Sequence, residues 1–327
     1  MALTPLASSP AVIASERASA ARRHPSPVLG AVIALIVLVV VNAIFTPNFA
    51  TASNAWNILW QVSTVVMVAV GMTFVIATGG IDLSVGSVMA IAGAVAAVQL
   101  GHGVAIALGF ALLCAAAVGA LNGTLVARDG IQPIVVTLAT LIAGRGLAQV
   151  LSNDGQLVPI HNVGFETFGR GHVGPVPAPV VIALVVVLVA AFVLRATPFG
   201  RHVLAVGGNR AASRLAGIPV RRTLIVVYVV SGVLAGLAGI LEASRIGASD
   251  AAKIGLNIEL DAIAATVVGG TALTGGRATI FGTVVGALVM QVIATSFNML
   301  LVPYAWSLVL KAAIILVAVY FQRPRRV

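Results

Sequence analysis

The chain has 327 residues, of which 60 % are hydrophobic and 9 % are charged, and its formal net charge is +10. Soluble domains contain about 25 % charged residues, so nine acidic and nineteen basic residues cannot cover a soluble protein of this length. The composition excludes a soluble enzyme, a disordered chain and a disulfide scaffold, and it indicates a membrane protein with many spans.

Apolar runs recur along the whole chain and are continuous rather than alternating, which favours helices over a β-barrel. A helix needs about 20 apolar residues to cross the bilayer, so the length allows roughly 8 to 11 spans. We predict an all-α polytopic protein of about ten transmembrane helices, with eight as the alternative, in a tight bundle rich in glycine and alanine. The runs lie at about 28–46, 57–77, 86–99, 104–126, 133–150, 179–195, 223–243, 258–270, 280–297 and 303–321. Runs 86–99 and 258–270 are short enough to be broken or re-entrant.

The basic residues predict the topology, because Lys and Arg collect in cytoplasmic loops. Ten spans with a cytoplasmic N-terminus place the connections near 128, 196–222 and 271–279, and the C-terminal tail, inside. These segments carry Arg128, Arg201, Arg210, Arg214, Arg221, Arg222, Arg277, Arg323, Arg325 and Arg326. The predicted organisation is a cytoplasmic tail at 1–27, a transmembrane domain at 28–322 and a cytoplasmic tail at 323–327, in a multi-pass protein. Topology accounts for the positive charge, so nucleic acid is not an expected partner.

A glycine-rich pattern, G-G-x-x-L-[S/T]-x-G, occurs twice, at 79–86 and 269–276, each time between two apolar runs. Matching glycine-interrupted segments in two halves of a chain point to a transport site built from repeats. The alternative is that glycine-rich turns between short spans have similar sequences by convergence. In the first copy Asp82 or Ser84 is expected to cap the following helix. The functional alternative is a hinge or gate, formed by Gly79, Gly80, Asp82, Ser84, Gly86, Gly269 and Gly270.

The basic segment 197–222 is predicted to hold a short amphipathic helix. Asn209 is a good N-cap, and Gly217 a good residue to end the helix, with Pro219 just beyond. Between them Arg210 and Arg214 share one face, while an apolar strip is formed by Ala211, Ala212, Leu215 and Ala216. Such a helix suits docking into a groove of another protein or lying on anionic lipid, and the residues alone leave both open.

Polar residues in or beside the spans are candidates for a pathway, because such groups are costly in lipid and usually face a cavity or each other. The candidates are Asn122, Arg145, Gln149, Asp261, Asn298 and Lys311. Lys311 is the most central of them, and the sequence does not name its partner.

Several catalytic and cofactor motifs are absent from the sequence. Neither lysine, Lys253 nor Lys311, follows a glycine, so there is no P-loop to bind ATP. There is no H-E-x-x-H zinc motif, no G-x-S-x-G elbow, and Cys114 is the one cysteine. We therefore expect no catalytic residue, metal or cofactor on this chain.

Motifs along nearly the whole chain resemble the permease subunit of ATP-binding-cassette importers of the ribose/xylose/arabinose class. They are Gly71-Met-Thr-Phe-Val-Ile-Ala-Thr-Gly-Gly-Ile-Asp-Leu-Ser-Val-Gly86, Asn122-Gly-Thr-Leu-Val-Ala127, Gln132-Pro-Ile-Val-Val-Thr-Leu138, Gly144-Arg-Gly146, Gly208-Asn-Arg-Ala-Ala212, Gly217-Ile-Pro219 and Gly269-Gly-Thr-Ala-Leu-Thr-Gly-Gly-Arg277. A closer likeness to galactofuranose-type permeases is carried by Ala143-Gly-Arg-Gly-Leu-Ala-Gln149, Gly155-Gln-Leu-Val158, Gly247-Ala-Ser-Asp250 and Glu259-Leu-Asp261.

The resemblance implies a type II-like importer permease in the inner membrane that forms a monosaccharide pathway by alternating access. It implies three kinds of partner: cassette ATPase subunits that carry ATP and Mg, a periplasmic or lipid-anchored sugar-binding protein, and a second permease chain, identical or sister. It makes 197–222 the coupling loop, with the ATPase contact formed by Gly208, Asn209, Arg210, Ala211, Ala212, Arg214 and Gly217.

Other functions remain open at this point. Nucleoside and branched-chain amino-acid importers have related permeases. A self-sufficient proton-coupled transporter would use Asp82, Arg145 or Lys311, and an intramembrane enzyme would turn over a substrate without transport.

Overall fold

The computed structural model describes residues 27–321 except Asn153. Over these residues the chain folds into thirteen α-helices: α1 Pro27–Phe45, α2 Ala52–Ala77, α3 Val85–Gln99, α4 Val104–Ala127, α5 Pro133–Leu151, α6 Val163–Arg170, α7 Ala178–Ala196, α8 Pro198–Gly208, α9 Arg210–Leu215, α10 Val220–Ile246, α11 Ile258–Val268, α12 Ile280–Met299 and α13 Tyr304–Phe321. Nearly all of the predicted N-terminal tail, and the whole C-terminal tail, lie outside the described residues, as do Arg17, Arg22, Arg23, Arg323, Arg325 and Arg326.

The prediction of an all-α polytopic protein is confirmed. Among the described residues, eight helices are long and apolar enough to cross a membrane by length and composition: α1, α2, α3 with the 3₁₀ turn that follows it, α4, α5, α7, α10 and α12. Each of the ten predicted runs coincides with a helix to within a few residues, and α11 and α13 account for the remaining two. The eight therefore satisfy the length of a span, while α11 has only 11 residues.

Four two-residue strands lie at one end of the bundle, which we call the β end. β1 (Val158–Pro159) pairs antiparallel with β4 (Ala248–Ser249), and β2 (His172–Val173) pairs antiparallel with β3 (Val176–Pro177). Helix α6 lies between β1 and β2. The sequence reasoning missed it, although Asn162 accepts a hydrogen bond from the backbone N–H of Phe165, as an N-cap does.

Helices α8 and α9 lie at the opposite end of the bundle, which we call the α8–α9 end, between the end of α7 and the start of α10. The sequence predicted a single helix in this segment, and the structure has two. Helix α8 begins at Pro198, and the Thr197 hydroxyl accepts the Gly200 N–H at 3.3 Å. Proline at the first position and threonine at the N-cap are a helix-start signal that was present in the sequence.

Small residues join the central helices, as the composition predicts. On α4 one buried stripe runs through residues 107, 111, 115, 119 and 123, each of them Ala or Gly. It packs on the backbone of α10, so that a Cβ added at Gly119 would lie 2.9 Å from Val229 Cα. Helices in lipid associate by van der Waals contact, which such close approach maximises.

The outer surface of the bundle is apolar, which suits contact with lipid. Helix α1 is the clearest case, since Ile33, Ile36, Val37, Val40 and Ile44 are all exposed. The core instead lies among α2, α3, α10, α11 and α12, where most of the fully buried side chains are found.

We expect Gly239→Ala to lower thermal stability in detergent, because a Cβ there would overlap the carbonyl oxygen of Met89 on α3. Overpacking of this kind costs about 1–3 kcal/mol. Gly109→Ala in α4 is the matched control, since nothing lies within 4 Å of its Cβ. A higher helix propensity should make that variant neutral or slightly more stable. Equal melting temperatures for the two variants would contradict this packing.

Candidate functional site

The first candidate site is the exposed surface of α9. The Asn209 side chain accepts the N–H of Ala212 at 3.0 Å, and Gly217 has a φ of +78°, so the predicted N-cap and C-terminal glycine are confirmed. The predicted apolar strip faces outward, and Leu215 is 92 % exposed. Arg210 and Arg214 are exposed beside it. An isolated leucine at the tip of a basic helix is an arrangement suited to insertion into an apolar groove.

The α8–α9 segment is joined to two glycine-rich turns. Arg210 Nη2 donates to the carbonyl oxygen of Thr78 at 3.3 Å, just beyond the end of α2. Gly207 packs against the backbone of Ala77, and the Gly276 N–H donates to the Ala77 carbonyl at 2.9 Å. The α8–α9 segment therefore contacts both the end of α2 and the turn before α12.

The two copies of the glycine pattern meet at this end of the bundle. A Cβ on Gly275 would lie 2.9 Å from the nitrogen of Gly79, and Gly79 and Gly270 have φ values of +77° and +91°, which favour glycine. Gly269 packs instead on Gly282 of α12. The predicted hinge residues therefore lie in two places. The glycine pairs lie in the turns, whereas Asp82, Ser84 and Gly86 lie just before or at the start of α3. The sequence reasoning did not pick out Gly207, although it is one of a glycine pair.

Asp82 is fully buried and organises a polar network. Its Oδ1 accepts the backbone N–H of Ser84 at 3.0 Å and the Ser84 hydroxyl at 2.6 Å, and its Oδ2 accepts the Ser231 hydroxyl at 2.8 Å. Asn122 Nδ2 donates to Ser84 Oγ at 2.9 Å, and Asn122 Oδ1 accepts from Thr140 at 2.6 Å. Neither expected cap bond forms: Ser84 is the N-cap residue of α3 but its side chain makes no cap bond, and Asp82 accepts the N–H of Ser84 rather than one from the first turn of the helix.

This network ties the start of α3 to α4, α5 and α10. Asn122 has no exposed surface, so the structure places this pathway candidate within the core. Ser231 and Thr140 were missed, because a serine or threonine in an apolar run gives no sign of which distant group it bonds.

The short helices α3 and α11 begin beside each other in the interior. A Cβ on Gly86 would lie 2.7 Å from Glu259 Oε2, and would overlap the carbonyl of Gly255. Each helix follows an irregular segment, 78–84 and 250–257 respectively. Runs 86–99 and 258–270 each form one continuous helix that begins after a non-helical segment, and their re-entrant character stays a prediction.

Arg145 of α5 holds the second irregular segment in place. Its Nη1 donates to the carbonyls of Ala251 at 2.9 Å and Ile254 at 2.7 Å, and its Nη2 donates to that of Gly255 at 3.3 Å. Backbone carbonyls outside helices need partners in a bilayer. Gln149, one turn further along α5, packs against Gly155 of the following loop.

The remaining three pathway candidates come together. Lys311 Nζ and Asp261 Oδ1 form an ion pair at 2.7 Å, which supplies the partner that the sequence could not name. Both side chains and Asn298 line one cavity between α2, α11, α12 and α13. Gln61 and Ser307 line it too, and the sequence reasoning did not single them out.

Comparison with known proteins agrees with these features. The family model described as branched-chain amino acid transport system / permease component matches residues 54–319. The chain is 43 % identical to the ribose import permease protein of Escherichia coli strain K12, over 90 % of this chain and 93 % of that one. It is 40 % identical to the L-arabinose permease protein of Azospirillum brasilense, over 91 % and 88 % of the two chains. It is 39 % identical to the galactofuranose transporter permease protein of Escherichia coli strain K12, over 90 % and 89 %. No solved structure matches the chain.

The class identified from the motifs is confirmed by these relatives. The finer likeness to galactofuranose permeases is not singled out, because the identity to that relative is slightly below the identity to the ribose permease.

We expect Asp82→Ala to lower thermal stability more than Asp82→Asn. The alanine leaves three buried donors without an acceptor, namely the N–H and hydroxyl of Ser84 and the hydroxyl of Ser231. Each unpaired group costs about 1–3 kcal/mol, whereas the side-chain oxygen of asparagine still accepts from part of this set. Asp129→Ala is the control, since Asp129 is exposed after α4. The measurement is the melting temperature in detergent, and an Asp82→Ala variant as stable as the control would show that the network is dispensable.

Proposed function

This chain belongs to the family of branched-chain amino acid transport system permease components, and from that premise we propose that it is the membrane permease subunit of an ATP-driven monosaccharide importer. The observation that carries the proposal is its likeness, over about nine tenths of its length, to import permeases named for ribose and L-arabinose. Such a subunit moves its substrate rather than converting it, and ATP with Mg binds on separate ATPase chains.

The distribution of charge supports an orientation with the α8–α9 end in the cytoplasm. Of the described residues, eight arginines and one aspartate lie at that end: Arg128, Arg195, Arg201, Arg210, Arg214, Arg221, Arg222, Arg277 and Asp129. Segments 151–178 and 244–257 at the β end hold, among their described residues, three acidic and three basic ones: Asp154, Glu166, Asp250, Arg170, Arg245 and Lys253. The positive-inside rule supports a chain in the inner membrane with the β end outside and both termini in the cytoplasm.

In this orientation α9 is the contact with a cassette ATPase. The apolar tip at Leu215, flanked by arginines, enters a cleft of the ATPase, and the cap at Asn209 fixes the start of the helix. The residues concerned are Gly208, Asn209, Arg210, Ala211, Ala212, Arg214 and Gly217. The exposure of Leu215 supports docking over a buried structural role.

The glycine-rich turns then transmit the motion of the ATPases. Closure on ATP moves α8 and α9 as a unit, and their contacts with Thr78, Ala77 and Gly276 pass the movement to both turns. The hinge residues Gly79, Gly80, Gly269 and Gly270 let α3 and α11 reorient, which opens the path to one side at a time. Two permease chains enclose this path, and a sugar-binding protein delivers ligand at the β end.

The experiment that tests the proposal is transport by the reconstituted complex. The chain, a cassette ATPase and a sugar-binding protein of the same cell are placed in vesicles with radiolabelled ribose, arabinose, a nucleoside or leucine. We expect monosaccharide uptake that requires both ATP and the binding protein. Leucine or nucleoside uptake in place of sugar, or sugar flux through the chain alone under a proton gradient, would overturn it.

We expect Leu215→Asp to weaken binding of the ATPase, because an exposed apolar side chain that anchors an interface contributes about 2 kcal/mol or more. The measure is co-purification and binding affinity in detergent, with affinity falling about 30-fold. Leu301→Asp is the control, since Leu301 is 90 % exposed at the opposite end of the bundle. If α9 rests on lipid instead, the ATPase will bind Leu215→Asp as tightly as the parent chain.

A further inference from the structure

The cavity between α2, α11, α12 and α13 has a volume of about 220 Å³, room for several water molecules. Six polar side chains from four helices line it: Gln61, Asp261, Gln291, Asn298, Ser307 and Lys311. We propose that it is a binding subsite for an uncharged, polyhydroxylated ligand, through which the sugar enters the permease. This rests on the proposed function and adds to it a place and a chemistry of recognition.

The charge in the cavity is balanced. Lys311 is 7 % exposed and pairs with Asp261 at 2.7 Å. A charged ligand in this cavity would leave one buried charge without an opposite partner, either its own or that of Asp261 or Lys311. An unpaired buried charge is costly. A neutral ligand meets no such cost, and its hydroxyl groups gain charge-assisted hydrogen bonds from the carboxylate and the ammonium group.

The other polar groups form a ladder of amides. Gln291 Nε2 donates to Gln61 Oε1 at 3.1 Å and to Thr295 Oγ1 at 3.3 Å, and Gln61 Nε2 donates to Asn57 Oδ1 at 2.9 Å. An amide both donates and accepts, as does a hydroxyl group. Sugar hydroxyls can therefore exchange with these bonds without leaving any buried group unpaired. The walls between them include Val65, Met290 and Phe297, which suit the C–H faces of a sugar ring.

The cavity runs inward from the β end. Asn57 lies near the start of α2 and Asn298 near the end of α12, and both are exposed. Lys311 is seven residues into α13, which is about 10 Å along a helix that rises 1.5 Å per residue. Gln61 is nine residues into α2, so the amide groups and the ion pair line the cavity at similar depth, on the side where the binding protein would release its sugar.

Protection of a cysteine by sugar tests occupancy directly. Asn298→Cys is introduced into a Cys114→Ala background, which removes the one native cysteine, and is labelled with a membrane-impermeant thiol reagent in the assembled complex. We expect ribose or another transported monosaccharide to slow the labelling of N298C in a saturable manner, and choline, a cation, to have no effect. Leu301→Cys is the control, since its side chain is exposed at the same end but does not line the cavity.

Removal of both charges tests their role in transport. Asp261→Leu with Lys311→Met leaves no unpaired charge, and such replacements are often neutral or stabilising. We expect the melting temperature and the ATPase activity stimulated by the loaded binding protein to be kept. Sugar uptake per ATP should fall at least about tenfold, the loss expected for one charge-assisted hydrogen bond.

Two results would overturn the subsite. One is labelling of N298C that the transported sugar does not slow, and the other is a doubly substituted chain that folds and imports sugar as the parent does, which would make the pair structural only. Both experiments use a complex whose parent chain has already been shown to import sugar. A negative result therefore contradicts the subsite and not the proposed function.

Discussion

The structure depends on one constraint, that backbone polar groups within a bilayer must find partners inside the protein. Two non-helical segments, 78–84 and 250–257, precede α3 and α11, and each contains buried residues. The charge that remains in the spans satisfies them: the Asp82 carboxylate accepts the N–H of Ser84, and the Arg145 guanidinium donates to three carbonyls. Each group left alone would cost several kcal/mol. The scarce charges thus hold in place the non-helical segments that precede α3 and α11.

The two ends of the bundle differ in the kind of contact that holds them together. At the α8–α9 end, backbone meets backbone through glycine, with no long side chains between Gly207, Ala77 and Gly276 to absorb a displacement. At the β end, amide side chains and one ion pair leave a cavity. The proposed function would use this asymmetry, with the glycine contacts on the side of the ATPases and the polar cavity on the side of the ligand.

Most of the fold follows from local sequence, because apolar runs and caps depend on neighbouring residues. The ten runs, the cap at Asn209 and the interruptions before α3 and α11 were predicted in this way. Helix α8 was missed because the segment was interpreted as a loop with one helix between Asn209 and Gly217, although Thr197 and Pro198 form a helix-start signal. The pairing of Lys311 with Asp261, and of Asp82 with Ser231, could not be predicted, because the partners are 50 and 149 residues apart and only the tertiary fold brings them together.

The stripe of alanine and glycine between α4 and α10 has a consequence for assembly. Neither residue has rotamers to lose, so burying the α4 side of this seam costs almost no side-chain entropy, whereas burying Leu or Met would cost about 0.5–2 kcal/mol each. The side chains that become ordered on docking are those of α10, such as Tyr228, which is fully buried. The seam between α4 and α10 is then a natural place for the inserted helices to begin to associate, before the polar network around Asp82 can form.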